Sequence, residues 1–311
     1  MDHPRGSGTA TIPGTRSRTA ASRPQVAWAV VRLARPWFWP LGWAGAYLGL
    51  VLATRSWVPP ADTLPAAITA LVVLGPLVWG AVLTVNDLHD LPSDRHNPRK
   101  ATAPLVTGVL TGADLRRWHR RCVVAAMAAA ATIGPAFVAG TAAVLALGWL
   151  YSAPPVRLKG RPGVDVTVNA LVVGVLAPMA GWSLHRPVGE YPAVMILLGL
   201  LLAAALYVPT TVLDVDADLV AGDATAAVRW KPRACYRLGL ALWSSASALW
   251  LASCHLDLIV RRDSWTLQTV AVPILVAVYA AATRKPSIPR MAAVSLAFAV
   301  PAADFLAAVA G

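Results

Sequence analysis

The stretch Leu64–Asp94 reads LPAAITALVVLGPLVWGAVLTVNDLHDLPSD. Residues 64–85 carry no charge and suffice to cross a hydrocarbon core about 30 Å thick as a helix. The next nine residues, Asn86-Asp87-Leu88-His89-Asp90-Leu91-Pro92-Ser93-Asp94, hold three carboxylates. Carboxylates crowded at a bilayer border repel one another and cost several kcal/mol when desolvated, so such a cluster needs a reason. A membrane helix that ends in acid is the unit from which the rest of the chain is read.

Comparable apolar segments recur through the 311 residues, of which 57% are hydrophobic and 14% charged. A soluble domain carries about a quarter charged residues. About nine segments stand out, at 34–53, 64–85, 122–139, 139–152, 165–183, 192–213, 235–254, 265–283 and 289–309. The expected fold is therefore all-α, a multi-pass membrane helical bundle of about nine transmembrane helices, with residues 25–311 forming one transmembrane domain. Residues 1–24 read as a disordered cytoplasmic tail without the apolar core of a signal peptide. The net charge of +12 comes from Lys and Arg gathered in alternate connections, with only Arg55, Arg186, Arg261 and Arg262 on the other side. That bias predicts an N-in, C-out topology in the cell membrane, with both acid clusters on the cytoplasmic side. It also assigns the basic balance to topology and anionic lipid rather than to nucleic acid. Cys122, Cys235 and Cys254 are isolated thiols without metal-ligand spacing.

Asn86, Asp90 and Asp94 are spaced i, i+4, i+8. If the helix continues, each step of four turns it by only about 40°, so all three share one face, with Asp87 beside them. One amide and a few carboxylates suit magnesium, which keeps waters and takes substrate phosphate oxygens in its remaining positions. The blander reading is a solvated helix end paired with Arg95, Arg99 and Lys100. A second cluster, Asp214-Val215-Asp216-Ala217-Asp218 with Asp223 beyond it, argues against that. Here Asp214 and Asp218 share one face, and Asp216 and Asp223 another roughly 160–180° away. All can meet one ligand only if the helix breaks, for which Gly222 offers a place, and spacing alone does not choose. Between the clusters, Tyr151-Ser152-Ala153-Pro154-Pro155 leads into Arg157, Lys159 and Arg161, which face one way if the chain is extended. These three, like Arg99 and Lys100, suit a phosphate; they also fit an ordinary positive-inside loop.

Taken together, these residues resemble the UbiA superfamily of intramembrane prenyltransferases. Asn86-Asp87, Asp90 and Asp94 match its first signature, and Asp214, Asp218 and Gly222 its second, a match that favours this register over Asp216 and Asp223. Asn97-Pro98-Arg99-Lys100 is similar to the lycopene elongase branch, and Tyr151 to Lys159 to the chlorophyll synthase and elongase branches. Arg35-Pro36-Trp37 resembles the start of the family's first helix. Two departures are Thr211, where relatives commonly carry an acid, and Leu219, where many carry Arg.

The resemblance implies Mg2+ held by Asn86, Asp90 and Asp94 on one side and Asp214 and Asp218 on the other, with Asp90, Asp94, Asp214 and Asp218 as the catalytic carboxylates. It implies substrate contacts from Asn86, Asp87, Arg99, Lys100, Tyr151, Arg157 and Lys159. Asn169, polar within the fifth apolar segment, is the residue expected to touch the acceptor. The reaction implied is ionisation of an allylic polyprenyl diphosphate, prenyl transfer to an aromatic or other lipophilic acceptor, and release of diphosphate. Competing readings are a terpene cyclase or a phosphoribosyl transferase on the same scaffold, or a transporter of a phosphorylated metabolite. Transporters usually bind near the midplane between internal repeats, whereas these acids lie at a border.

Overall fold

The computed structural model describes residues 23–311, so the tail expected over 1–24 lies, through residue 22, outside the described residues. Among the described residues every regular element is helical. The short α1 (Arg23–Ala34) leads through Arg35, in the left-handed region at φ 43°, into a 3-10 turn at Pro36–Phe38 and then α2 (Trp39–Thr54). α3 runs unbroken over Leu64–Asp94, followed by α4 (Gly112–Ala131) and α5 (Pro135–Ser152). α6 (Val164–Trp182), α7 (Ala193–Val212) and α8 (Val215–Ala221) come next. α9 (Ala226–His255), α10 (Trp265–Thr283) and α11 (Ile288–Ala310) complete the bundle.

Each expected apolar segment coincides with one of these helices, and six spans are long and apolar enough to cross a membrane. The other three helices, α2, α4 and α9, fall short of that standard: α2 has only 16 residues, α4 carries charge through its first ten residues, and α9, kinked at Lys231, is too rich in Ser and Trp beyond its charged first part. The expected boundary at residue 139 is corrected to Thr132–Gly134. Gly134 takes φ 152° and Pro135 opens α5, where its missing N–H leaves no hydrogen bond unmade. α1 was not anticipated as a separate element; it buries Ala29 and Leu33 against Leu110 and Leu115.

Backbones approach closely where glycine permits it, as expected where lipid offers no hydrophobic drive between helices. Gly45 and Gly49 of α2 lie against Pro178 of α6, and a Cβ added at Gly49 would fall 1.8 Å from the Pro178 carbonyl oxygen. Gly174 of α6 meets Gly199 of α7 in the same way. Two π-helical stretches, Val73–Leu77 in α3 and Val172–Leu176 in α6, contain or precede a proline, Pro76 and Pro178 respectively. A proline lacks the N–H and crowds the carbonyl four residues back, which the wider π turn accommodates. Asp304, an acid inside the last apolar segment, accepts from Gln268 Nε2 at 2.8 Å, and Gln268 Oε1 accepts from Trp250 Nε1 at 2.7 Å. That network ties α9, α10 and α11 together.

Candidate active site

α3 remains helical beyond its apolar part, through Pro92 to Asp94, so the spacing of Asn86, Asp90 and Asp94 becomes a single polar stripe. All three line a cavity of about 270 Å³ at the end of the bundle. The opposite wall comes from the second acid segment. α7 ends at Val212, and Asp214 (φ −105°, ψ 0°) starts the separate α8. Gly222 then ends α8 in the left-handed region, at φ 73°. Because the chain breaks twice, Asp214, Asp218 and Asp223 all reach the cavity, while Asp216 is exposed outside it. The two faces that a continuous helix would separate are thus partly reunited.

The basic segment between them is not extended as the alternation suggested. Arg157 adopts φ 39° and leads into a 3-10 turn at Leu158–Gly160. The turn drives Lys159, only 8% exposed, onto Asp90, with which its ammonium pairs directly. Arg157 lies 3.5 Å from Asp90, and one of its terminal nitrogens donates to both oxygens of Asp223 at 2.9 and 3.0 Å. Arg161 is not among the lining residues. Lys100 bridges Asp94 at 3.2 Å and Asp87 at 3.4 Å. The side chain of Arg99 lies outside the described residues.

Asp87 does not line the cavity; it is buried and paired with Arg35 and Lys100. Arg35 does line the cavity, a role the sequence reading missed. Asn86 Oδ1 accepts from Ser152 Oγ at 3.3 Å, and Thr225 donates to Asp218 at 2.9 Å. Burial raises the Asp218 carboxyl to about 6, with the charges of Asp214 and Asp223 adding to it.

Where the polar cavity meets the membrane interior, the Tyr151 and Tyr207 hydroxyls share a hydrogen bond of 2.8 Å. Thr211, singled out in the sequence as a departure from the family pattern, lines the cavity, as do Tyr207 and Thr210, which were missed because on the apolar α7 they read as ordinary membrane residues. Both threonine hydroxyls donate back to their own helix, at 2.6 Å to Tyr207 and 2.8 Å to Val208, leaving this wall uncharged. Asp165 is 1% exposed, and its carboxylate accepts from the backbone N–H groups of Gly163 (2.8 Å) and Ala226 (3.2 Å). It therefore fastens the starts of α6 and α9 beside the cavity. Asn169, expected at the acceptor, is not a lining residue; its amide donates to the Asp165 carbonyl at 2.9 Å.

Among the described residues, no three carboxylate, histidine or cysteine ligands converge as a closed metal cage. The available donors are carboxylate and amide oxygens on two facing walls, which suit a hard cation that takes few protein ligands and completes its shell with water or phosphate.

A model of the UbiA prenyltransferase family matches residues 38–299. The chain belongs to this family. It is 28% identical over 193 residues to 4-hydroxybenzoate octaprenyltransferase of Escherichia fergusonii, a match spanning 61% of each chain, or about three fifths of that relative's length. Its structure resembles that of a UbiA homologue from Archaeoglobus fulgidus bound to GPP and Mg2+, with a TM-score of 0.72 and 25% identity over 91% of this chain and 99% of the other. The apo UbiA homologue from Aeropyrum pernix K1 shares the fold, with a TM-score of 0.62 at 20% identity over 91% and 97% of the two chains. Membership of this family and the six apolar spans mark the chain as a membrane-embedded member of the UbiA prenyltransferase family.

Proposed function

We propose that this chain uses Mg2+ to ionise an allylic polyprenyl diphosphate and transfers the prenyl group to a lipophilic acceptor, with its acid pocket on the cytoplasmic side and nine helices crossing the membrane. One observation carries the reading: two acid segments about 125 residues apart meet in one cavity together with Arg35, Lys100 and Lys159. Along its lining six carboxylates face three cations. A diphosphate is repelled from such a site unless it arrives with positive charge, and divalent cations bring that charge in compact form. The A. fulgidus homologue binds the allylic diphosphates GPP and DMAPP with Mg2+, which supports the same substrate class here.

Asn86, Asp90 and Asp94 would hold one ion, and Asp214 with Asp218 the other; bound there, Mg2+ supplies electrostatic stabilisation of the leaving diphosphate. Lys159 and Lys100 line the cavity beside the carboxylates, with Arg157 paired to Asp90 and Asp223 outside its lining, so a diphosphate reaching the lysines meets hydrogen-bond donors next to the acids. They take up the charge that develops as the allylic C–O bond breaks and its electron pair departs with the diphosphate. Arg35 holds Asp87 beside the stripe and so positions α3. Tyr151 and Tyr207 border the space where the allylic carbon would lie. The acceptor then forms the new bond to that carbon and loses a proton. Transfer is preferred to cyclisation because the family and the E. fergusonii relative are prenyltransferases.

The test incubates membranes containing the protein with radiolabelled allylic diphosphates of several lengths and a lipid extract, with and without Mg2+. Prenylated product and diphosphate appear only with Mg2+, and Asp90→Asn abolishes both. Absence of diphosphate release with every substrate would refute the reading, as would a variant equal to the parent.

A further inference from the structure

Gly222, in the left-handed region, reverses the chain at the end of α8, and Asp223 is the first residue after it. The turn is pinned to the second acid segment at two points. The Asp223 N–H donates to the Asp218 carbonyl at 2.9 Å, and the Thr225 hydroxyl donates to the Asp218 carboxylate at 2.9 Å. Asp223 is therefore fixed relative to Asp218, and it lines the cavity. Its two carboxylate oxygens accept from one terminal nitrogen of Arg157, at 2.9 and 3.0 Å. Arg157 comes from the loop after α5 and sits at φ 39°. A residue other than glycine keeps that conformation where its surroundings hold it there. The same terminal nitrogen lies 3.5 Å from Asp90 Oδ1, beyond ordinary hydrogen-bond length. Arg157 thus spans the two acid segments, bonded to the second and just out of reach of the first.

We infer that Asp223 is a positioning residue: it holds Arg157 off Asp90 and so keeps the first acid segment open to a divalent cation. The inference rests on the function proposed above and deepens its metal site with a residue outside the Asp214 and Asp218 pair. Asp90 already has one cationic partner, Lys159. A guanidinium is a stronger competitor for a carboxylate than an ammonium, because its planar fork can grip both oxygens and it keeps its charge at any working pH. Without the charge of Asp223, a shift of about 0.5 Å brings Arg157 within bonding distance of Asp90. Asp90 then holds two cations, and both must give way before it binds a metal ion. Loss of an anion from the cavity also weakens cation binding directly, but the two effects separate by background. The tether works only through Arg157; direct attraction does not need it.

The experiment is a double-mutant cycle read by Mg2+ binding to the full-length, detergent-purified protein without substrate, using titration calorimetry. Asp223→Asn weakens Mg2+ binding roughly tenfold in the parent, but by less than about threefold in the Arg157→Gln background. Arg157→Gln alone does not weaken it, since a cation beside Asp90 has gone. Asp223→Glu, which keeps the acceptor, stays within about threefold of the parent. Turnover supplies a second readout that a general loss of packing would not give. In Asp223→Asn the Mg2+ concentration for half-maximal rate rises roughly tenfold, while kcat at saturating Mg2+ falls less than about threefold. An equal loss of Mg2+ affinity in both backgrounds overturns the inference, because the carboxylate then acts on the metal itself. Unchanged affinity in Asp223→Asn, or a parent that takes up no Mg2+, overturns it as well. If the parent releases diphosphate from no allylic substrate, the proposed function fails, while the Mg2+ titrations still decide the role of Asp223.

Discussion

Replacing Lys159 by Met keeps most of the buried aliphatic stem and removes only the ammonium. Lys159 and Asp90 are each 8% exposed and directly paired, so the variant leaves a carboxylate with little access to water. Breaking a buried pair on one side costs about 3–5 kcal/mol. Arg157, 3.5 Å from Asp90, remains as a second cation and lowers that cost to about 2–3 kcal/mol. For a chain of this size the loss corresponds to a fall of roughly 5–10 °C in apparent melting temperature. A divalent cation bound at Asp90 supplies the missing charge, so Mg2+ raises the melting temperature of Lys159→Met more than that of the parent. Diphosphate release falls on the order of 10²–10³-fold, because a donor aimed at the leaving group has gone. The assay is a thermal melt of detergent-purified protein at several Mg2+ concentrations, beside a turnover measurement. Equal melting temperatures and equal Mg2+ responses in the two proteins would refute the role given to Lys159.

Three further outcomes follow from the same geometry. Asp214→Asn and Asp218→Asn each lower turnover about 10²-fold or more, whereas Asp216→Asn, exposed outside the cavity, stays within about twofold of the parent; a turnover assay on the three variants decides. In the metal-free protein the Asp218 carboxyl is raised from 3.8 to about 6, mainly by burial, so the folded state holds its proton more tightly than the unfolded chain. Its contribution to stability is therefore fully present below about 4 and lost as the pH rises to about 6. Mg2+ affinity falls about tenfold per unit below pH 6, and titration calorimetry of the parent and Asp218→Asn should find that dependence weaker in the variant. Gly49→Val places a side chain against the Pro178 carbonyl at the α2–α6 contact, and gel filtration after detergent extraction should show little folded protein.

The parts of this site that were legible in the sequence are those in which one helix carries the whole pattern. Asn86, Asp90 and Asp94 needed only that α3 continue past its apolar residues, and Pro92 in the last turn did not prevent it. The second acid segment was ambiguous for a physical reason: its geometry depends on a break after Val212, and Pro209, three residues earlier, sits inside the helix without marking where it ends. Once that break and the left-handed Gly222 are in place, Asp223 joins Asp214 and Asp218 while Asp216 turns outward. Arg35 was hidden differently. An arginine before Pro36 reads as an interfacial anchor, and only its left-handed backbone brings it to Asp87, fifty-two positions along the chain. Asn169 could not be placed from its polarity alone: its amide donates to a carbonyl one turn back on its own helix, and its side chain also bonds Tyr151 of the cavity wall. The apolar cavity lined by Gly42, Val78, Gly140 and Leu176 was invisible for a related reason: its residues differ from those facing lipid only in what packs around them. Hydropathy reports that a residue avoids water, but it does not separate a wall from a cavity; that distinction lies in how α2, α3, α5 and α6 pack, with the π turns of α3 and α6 on two of the walls.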